Sequence, residues 1–175
     1  MHQKIIDAEL TSVAIIEPSP ILCYGMKGLL ESFGQRYKIS EFSTTRDYLK
    51  CHAKGHVDIV IIGLGDCSEK TAITSIRQVR SRDPFVKIIV LDCICSVERI
   101  SCYFREKANA YLPENCSLSG FEECLIKIRS GNLYVTYETS QQILAYNLKV
   151  QMPVSRSQGR RIHFETRLTE HEIQC

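Results

Sequence analysis

Short, continuous apolar runs alternate along this chain with amphipathic segments of helical period. Ser12-Val13-Ala14-Ile15-Ile16 ends at Glu17-Pro18 and reads as a buried strand. From Ile21 to Phe33, the residues Leu22, Met26, Leu29, Leu30 and Phe33 recur at three- and four-residue spacing, which is one helix face. A second strand, Tyr37 to Phe42, precedes a helix that starts near Thr44, a residue suited to the N-cap. Asp58 to Ile62 is the clearest buried strand. It runs into the loop Gly63-Leu64-Gly65-Asp66 and then a helix from Glu69 to Ser81, with Ile73, Ile76 and Val79 inward. Asp83-Pro84 breaks that helix, and Val86 to Leu91 is the fourth strand. Ser96 to Lys107 reads as a helix, Ala110 to Leu112 as a short fifth strand, and Ser119 to Ser130 as a helix stopped by Gly131. This alternation predicts an α/β fold, a doubly wound five-stranded parallel sheet with helices on both faces. The faces Ile100, Tyr103, Phe104 and Phe121, Leu125, Ile128 are expected to be mostly core.

After Gly131 the pattern changes. Leu133 to Thr136 is a brief extended piece, and Thr139 to Val150 a helix with Ile143, Leu144 and Leu148 on one face. Met152 to Arg161 reads as a flexible basic linker. Thr169 and Glu172 then form a capping box, the first turn of a new helix. The chain is thus expected to divide into a domain at 1–131, a joining helix and linker at 132–167, and the opening of a further, incomplete domain at 168–175.

Composition narrows the class. A domain of about 150 residues buries roughly 70% of its unfolded surface, so a chain of 175 needs no disulfide or metal staple. No run approaches the apolar length of a membrane span, and MHQKIIDAEL lacks the features of a signal peptide. A cytoplasmic protein with no membrane partner is expected. The net charge of +2 neither requires nor excludes an acidic partner. Nine cysteines without a C-x-x-C pair give no zinc spacing, and they read as small buried hydrophobes. Cys93 and Cys95 are expected on a strand end, facing one side. The five histidines fall in no catalytic spacing, and the bases of the tail are nearly balanced by its acids.

Four stretches together resemble the NarL/LuxR class of response regulators. Ile16-Glu17-Pro18-Ser19-Pro20, followed by Gly25-Met26-Lys27-Gly28-Leu29-Leu30, is similar to the family's V-D-D-H-P…G-L-x-x-L-L. Val57-Asp58-Ile59-Val60-Ile61-Ile62-Gly63 resembles P-D-V-V-L-L-D, and Ala108 to Asn115 resembles G-A-x-G-Y-L-L-K-D. Arg167 to Ile173 resembles the L-T-x-R-E-x-E that opens the family's helix-turn-helix domain. The resemblance implies a receiver domain with the flavodoxin-like strand order 2-1-3-4-5, coupled to a DNA-binding domain that is incomplete here.

In that family a carboxylate accepts a phosphoryl group, two further acids hold Mg²⁺, and a lysine and a hydroxyl hold the phosphoryl oxygens. Mapped onto this chain, the acceptor position is Gly63 and the acidic pair is Glu17 and Pro18. The hydroxyl position falls on Asp92, the lysine position on Glu114, and the switch aromatic on Tyr111. Nothing stands ready to be phosphorylated, and the two added acids would repel an incoming dianion. The resemblance therefore implies a degenerate receiver, an atypical two-component transcription regulator working without aspartyl phosphorylation. No catalytic residue, metal or cofactor is expected. The expected partners are a second copy, DNA through the missing C-terminal domain, and a heteropartner regulator or histidine kinase. The dimer is expected through the segments 96–107 and 119–130, or through the first helix with the last.

Other classes fit less well. Gly63-Leu64-Gly65 lacks the third glycine of a dinucleotide fingerprint, with Ser68 in its place, and it follows the third strand. Glu17, Asp66, Asp92 and Glu114 could form a metal or acid/base cluster, against which stands a solvated acidic rim left by a lost phosphorylation site. A stand-alone interaction or dimerisation module without DNA binding is the remaining alternative.

Overall fold

The computed structural model describes residues 10–34, 37–51 and 55–151. Strands β1 (Thr11–Ile16), β2 (Tyr37–Phe42), β3 (Ile59–Gly63), β4 (Lys87–Asp92) and β5 (Ala110–Pro113) form one parallel sheet in the order β2-β1-β3-β4-β5. Helices α1 (Pro20–Ser32), α2 (Thr45–Cys51), α3 (Glu69–Arg82) and α4 (Val97–Arg105) connect them, and α5 (Leu118–Arg129) follows β5. A sixth helix, α6 (Tyr137–Gln151), follows. The architecture is the expected doubly wound one. The linker from Met152, the capping box at Thr169 and Glu172, and the start of a second domain lie outside the described residues.

The two faces of the sheet separate by the pleat. Ala14, Ile16, Val60, Ile62, Ile88 and Val90 point to one side, against Tyr48 of α2, Ala72, Ile76 and Val79 of α3, and Ile100 and Tyr103 of α4. Val13, Ile15, Ile59, Ile61, Ile89 and Leu91 point to the other, against Cys23, Met26 and Leu30 of α1 and Phe121, Leu125 and Ile128 of α5. Both faces are covered, so the central strands read as unbroken apolar runs.

Local signals start and stop the helices. Ser19, Ser68, Ser96 and Ser117 each accept a backbone N–H of the following first turn. Gly131 ends α5 with φ +81°, a conformation that costs a side chain but not a glycine. Arg80 joins two loops on the opposite edge from these caps. Its guanidinium donates to the carbonyls of Pro84 (2.8 Å), Val86 (2.7 Å) and Lys107 (2.8 Å), and to Asn109 Oδ1 (3.1 Å).

Several expectations need correction. Leu22 is exposed and Cys23 takes its place inside α1; Ala72 is buried in α3, whereas Ile73 is only half-buried. Leu144 and Leu148 are exposed, and Ile143 is the α6 residue that packs on the core. Of the described cysteines only Cys23 and Cys124 are buried, because the others sit on loops or helix flanks. Cys93 and Cys95 lie past the end of β4, in the loop. The piece around Tyr134 is a single parallel bridge to Ala110, held by Tyr111 N–H to Tyr134 O and Tyr134 N–H to Asn109 O.

Arg80→Met should lower stability to urea by on the order of 2 kcal/mol, since it strips charged donors from carbonyls of two loops at once. Arg82→Met, at the end of the same helix, should change it by less than about 0.5 kcal/mol.

Candidate functional site

The carboxyl ends of parallel strands converge on one edge, where open α/β sheets bind their ligands. All the residues singled out for the receiver-like pocket lie there, each just at or past a strand end. The structure decides what each of them does.

Glu17 follows β1 and is 4% exposed. Its Oε1 accepts the backbone N–H of Ser19 at 2.7 Å, and its Oε2 is buried without a hydrogen-bond partner. The carboxylate folds over the end of β3. A Cβ built on Gly63 would stand 1.7 Å from Glu17 Oε2 and 2.8 Å from its Cδ. The space of an acceptor side chain at position 63 is thus filled from β1. Burial raises the Glu17 carboxyl above its ordinary 4.5; the Ser19 N–H opposes this, and the negative charge of Glu114 adds to it. Pro18 is exposed and has no donor to offer.

Asp92 ends β4 at 0% exposure. It is no solvated rim residue and no free repelling charge, which corrects the sequence reading. Oδ2 accepts Arg99 Nε at 2.8 Å and the Tyr103 hydroxyl at 2.5 Å, and Oδ1 accepts the Ile94 N–H at 3.0 Å. Arg99 is itself 6% exposed, also meets the Tyr103 hydroxyl, and donates to Cys67 O at 2.9 Å. One guanidinium therefore ties α4 to the β4–α4 and β3–α3 loops. Burial, then the hydrogen bond to Asp92, holds the Tyr103 phenol protonated far above its ordinary range.

Tyr111 is fully buried, its ring stacked on Tyr103 at 6.5 Å and its hydroxyl 3.1 Å from Cys95 Sγ. Glu114 is half-buried after β5; its N–H reaches Asp92 O at 3.2 Å, and its Oε1 is buried without a partner. Asp66 is exposed on its loop, where Cys93 Sγ approaches its Oδ1 at 3.6 Å. The four acids therefore separate: Asp92 is neutralised, Asp66 faces water, and Glu17 and Glu114 keep bare buried oxygens. Among the described residues no three histidine, cysteine or acidic side chains form a metal cage.

Arg99 went unnoticed in the sequence, and Tyr103 was read only as part of the core. The signal was available: an arginine one turn before Tyr103, on the inward stripe of α4 with Ile100, must find an acid or leave the core. The magnesium implied by the resemblance fits only in part. Glu17 and Glu114 offer hard oxygen donors with nothing to satisfy them, whereas the phosphoryl acceptor, lysine and hydroxyl are missing.

No protein-family model matches the chain, and no curated protein matches it in sequence. Solved structures do. The RcsB response regulator of Salmonella typhimurium aligns with TM-score 0.69 at 18% identity, over 77% of this chain and 67% of that one. The isolated REC domain of RcsB from Salmonella enterica serovar Typhimurium, with the phosphomimetic BeF3-, gives 0.68 at 19%, over 75% and 96%. A LuxR-family two-component response regulator from Aurantimonas sp. SI85-9A1 gives 0.71 at 16%, over 79% and 99%. At such identities the likeness establishes the fold, which is that of a receiver domain.

Arg99→Met should destabilise the protein by about 3–5 kcal/mol in urea unfolding, because it strands a buried carboxylate. The loss should shrink in the Asp92→Asn background. Gly63→Ala should cost about 1–3 kcal/mol by forcing the Glu17 carboxylate off its seat, and Glu17→Ala should relieve most of that cost in a double-mutant cycle. A raised carboxyl disfavours the charged form in the fold. In chelator, wild type should therefore lose stability relative to Glu17→Gln as pH rises from 4.5 through the raised folded value, and regain it on acidification.

Proposed function

We propose that the chain is the receiver module of an atypical two-component regulator, one whose state is set without aspartyl phosphorylation. The observation that carries this reading is the Glu17 carboxylate seated where an acceptor side chain at position 63 would stand. Phosphoryl transfer needs an acceptor and groups that neutralise the developing charge. Gly63 supplies no acceptor, and Glu17 and Glu114 add charge of the wrong sign.

The Asp92–Arg99–Tyr103 cluster supports the same reading. In phosphorylated receivers the phosphoryl group shifts an equilibrium between arrangements of the β4 and β5 face. A ligand does this only by binding the two arrangements unequally. Here an internal guanidinium grips the β4–α4 loop, and Tyr111 is packed inward. The pair acts as a built-in substitute that favours one arrangement.

The output proposed is transcription regulation through a DNA-binding domain attached to this module. The RcsB structures include a DNA complex and one described as two RcsB dimers bound to two parallel DNAs. This chain spans about two thirds of the RcsB chain. It would pair with a second copy independently of phosphorylation. The α4 side is packed in the same chain by Val135 and Ile143, so pairing falls to α1 and α5, where Ile21, Tyr24, Leu118 and Ile126 are exposed.

Incubation with acetyl phosphate and Mg²⁺ should leave the intact mass unchanged, and Gly63→Asp alone should not create an adduct. A stoichiometric phosphoryl adduct on wild type would defeat the proposal. Sedimentation at micromolar concentration should give the same dimer with and without beryllofluoride; a dimer seen only with beryllofluoride would refute the phosphorylation-independent mode.

A further inference from the structure

We infer that the groove between α2 and α3 binds an oligophosphate, a small anion with two or more linked phosphoryl groups. The groove has a volume of about 630 Å³, within the range of roughly 300–1,000 Å³ that small-ligand sites occupy. Arg46 and Lys50 line it from α2 and Lys70 lines it from α3. Among the described residues that form its walls, none is acidic. It shares no residue with the cavity beside Glu17, so its chemistry is separate from that of the strand ends.

The charges in the groove lack a counterpart. Arg46 and Lys50 stand one helical turn apart on the same face of α2, and like charges at that spacing repel. Lys70 brings a third positive charge to the same groove from the opposite helix. The chain does pair cations between elements where it supplies an acid. Lys27 meets Glu41 at 2.8 Å, and Arg77, on α3 itself, meets Glu106 at 2.6 Å. Among the described residues Arg46, Lys50 and Lys70 have no such ion pair. The neighbouring acids are placed elsewhere: Asp47 accepts the Thr44 hydroxyl at 2.6 Å, and Glu69 sits in the first turn of α3, outside the groove. A cleft lined by one sign of charge gathers ions of the other.

The donors decide the class of anion. A guanidinium fork matches two oxygens of one phosphoryl group, and ammonium groups hold others as point charges. Ser75 and Gln78 add neutral donors from α3, and Leu49 gives the groove an apolar floor. Three cations spread over two helices exceed what one phosphate can meet at once, which favours a chain of linked phosphoryl groups. No aromatic side chain among the described residues lines the groove, so a nucleobase finds no stacking surface there. The phosphate chain is the part recognised.

The full chain, freed of divalent ions with chelator, is titrated with sodium triphosphate at constant ionic strength, by calorimetry and by melting temperature. Inorganic phosphate and ATP are parallel arms. One saturable triphosphate site per chain is expected, with a melting temperature that rises on binding and an affinity that falls as NaCl is added. Single phosphate should bind at least about tenfold more weakly, since it cannot engage both helices together. Arg46→Gln, Lys50→Gln and Lys70→Gln should each weaken triphosphate binding by about three- to tenfold. Lys127→Gln removes the same charge from the exposed side of α5 and should leave binding unchanged. All three groove side chains are exposed, and removing any of them relieves a repulsion, so the variants keep the fold. ATP binding more tightly than triphosphate would assign a nucleotide, and equal or weaker binding the free phosphate chain; both support the inference. Absence of a saturable response overturns it, as does equal affinity for phosphate and triphosphate. An equal loss in Lys127→Gln also overturns it, because net charge alone then explains the binding. Binding of a DNA duplex through the same three residues, with no response to triphosphate, overturns it and assigns the groove to nucleic acid.

Discussion

Two groups cannot share one volume, and at the centre of this protein the contest is between the Glu17 carboxylate and any side chain at position 63. The parallel topology creates the contest. β1 and β3 are neighbours, so the residue after one lies beside the last residue of the other. Glutamate is long enough to reach over the strand end while Ser19 fixes its other oxygen. Glycine is what allows it to land. The bare position 63, the carboxylate laid over it and that carboxylate's buried orphan oxygen are one fact.

The second constraint lies one strand over. Asp92 would be intolerable at full burial without Arg99, and Arg99 equally so without Asp92. The hydroxyl of Tyr103 and the carbonyl of Cys67 complete the shell. These groups come from three segments, β4, α4 and the β3–α3 loop, so the cluster sets the position of α4 as well as the charge of the pocket. Ion pairs of this kind contribute little net stability compared with a well-packed apolar set, but they penalise every arrangement that separates them. Such a pair selects one geometry more than it strengthens the fold.

The sheet and its helices were legible because burial on both faces writes long apolar runs, and Ser19, Ser68, Ser96 and Ser117 mark helix starts. Boundaries slipped by a residue or two where caps, and not apolar periodicity, set the end. The order of strands came from resemblance, since periodicity does not say which strand neighbours which. The site was legible in its membership and not in its states. Glu17, Gly63, Asp92 and Glu114 could be placed at one edge from the strand ends alone. That Asp92 is silenced depends on Arg99, a residue with no special position in the motif. That Glu17 covers Gly63 depends on a side-chain torsion, which no spacing reveals. The exposed Leu144 and Leu148 misled in a simpler way: apolar residues at helical spacing mark a face, but not what covers it.

The bridge between Tyr134 and Ala110 bears on how this sheet ends. β5 is an edge strand, and a bare edge invites a strand from another molecule. Here Tyr134 takes up the Tyr111 N–H and the Asn109 carbonyl, the groups a visiting strand would need first. Its side chain packs into the core on the α5 side, the hydroxyl donating to Glu123 Oε2 at 3.2 Å. The short stretch after α5 thus works as a selvedge, a woven border that keeps the sheet from extending at its β5 edge into another molecule.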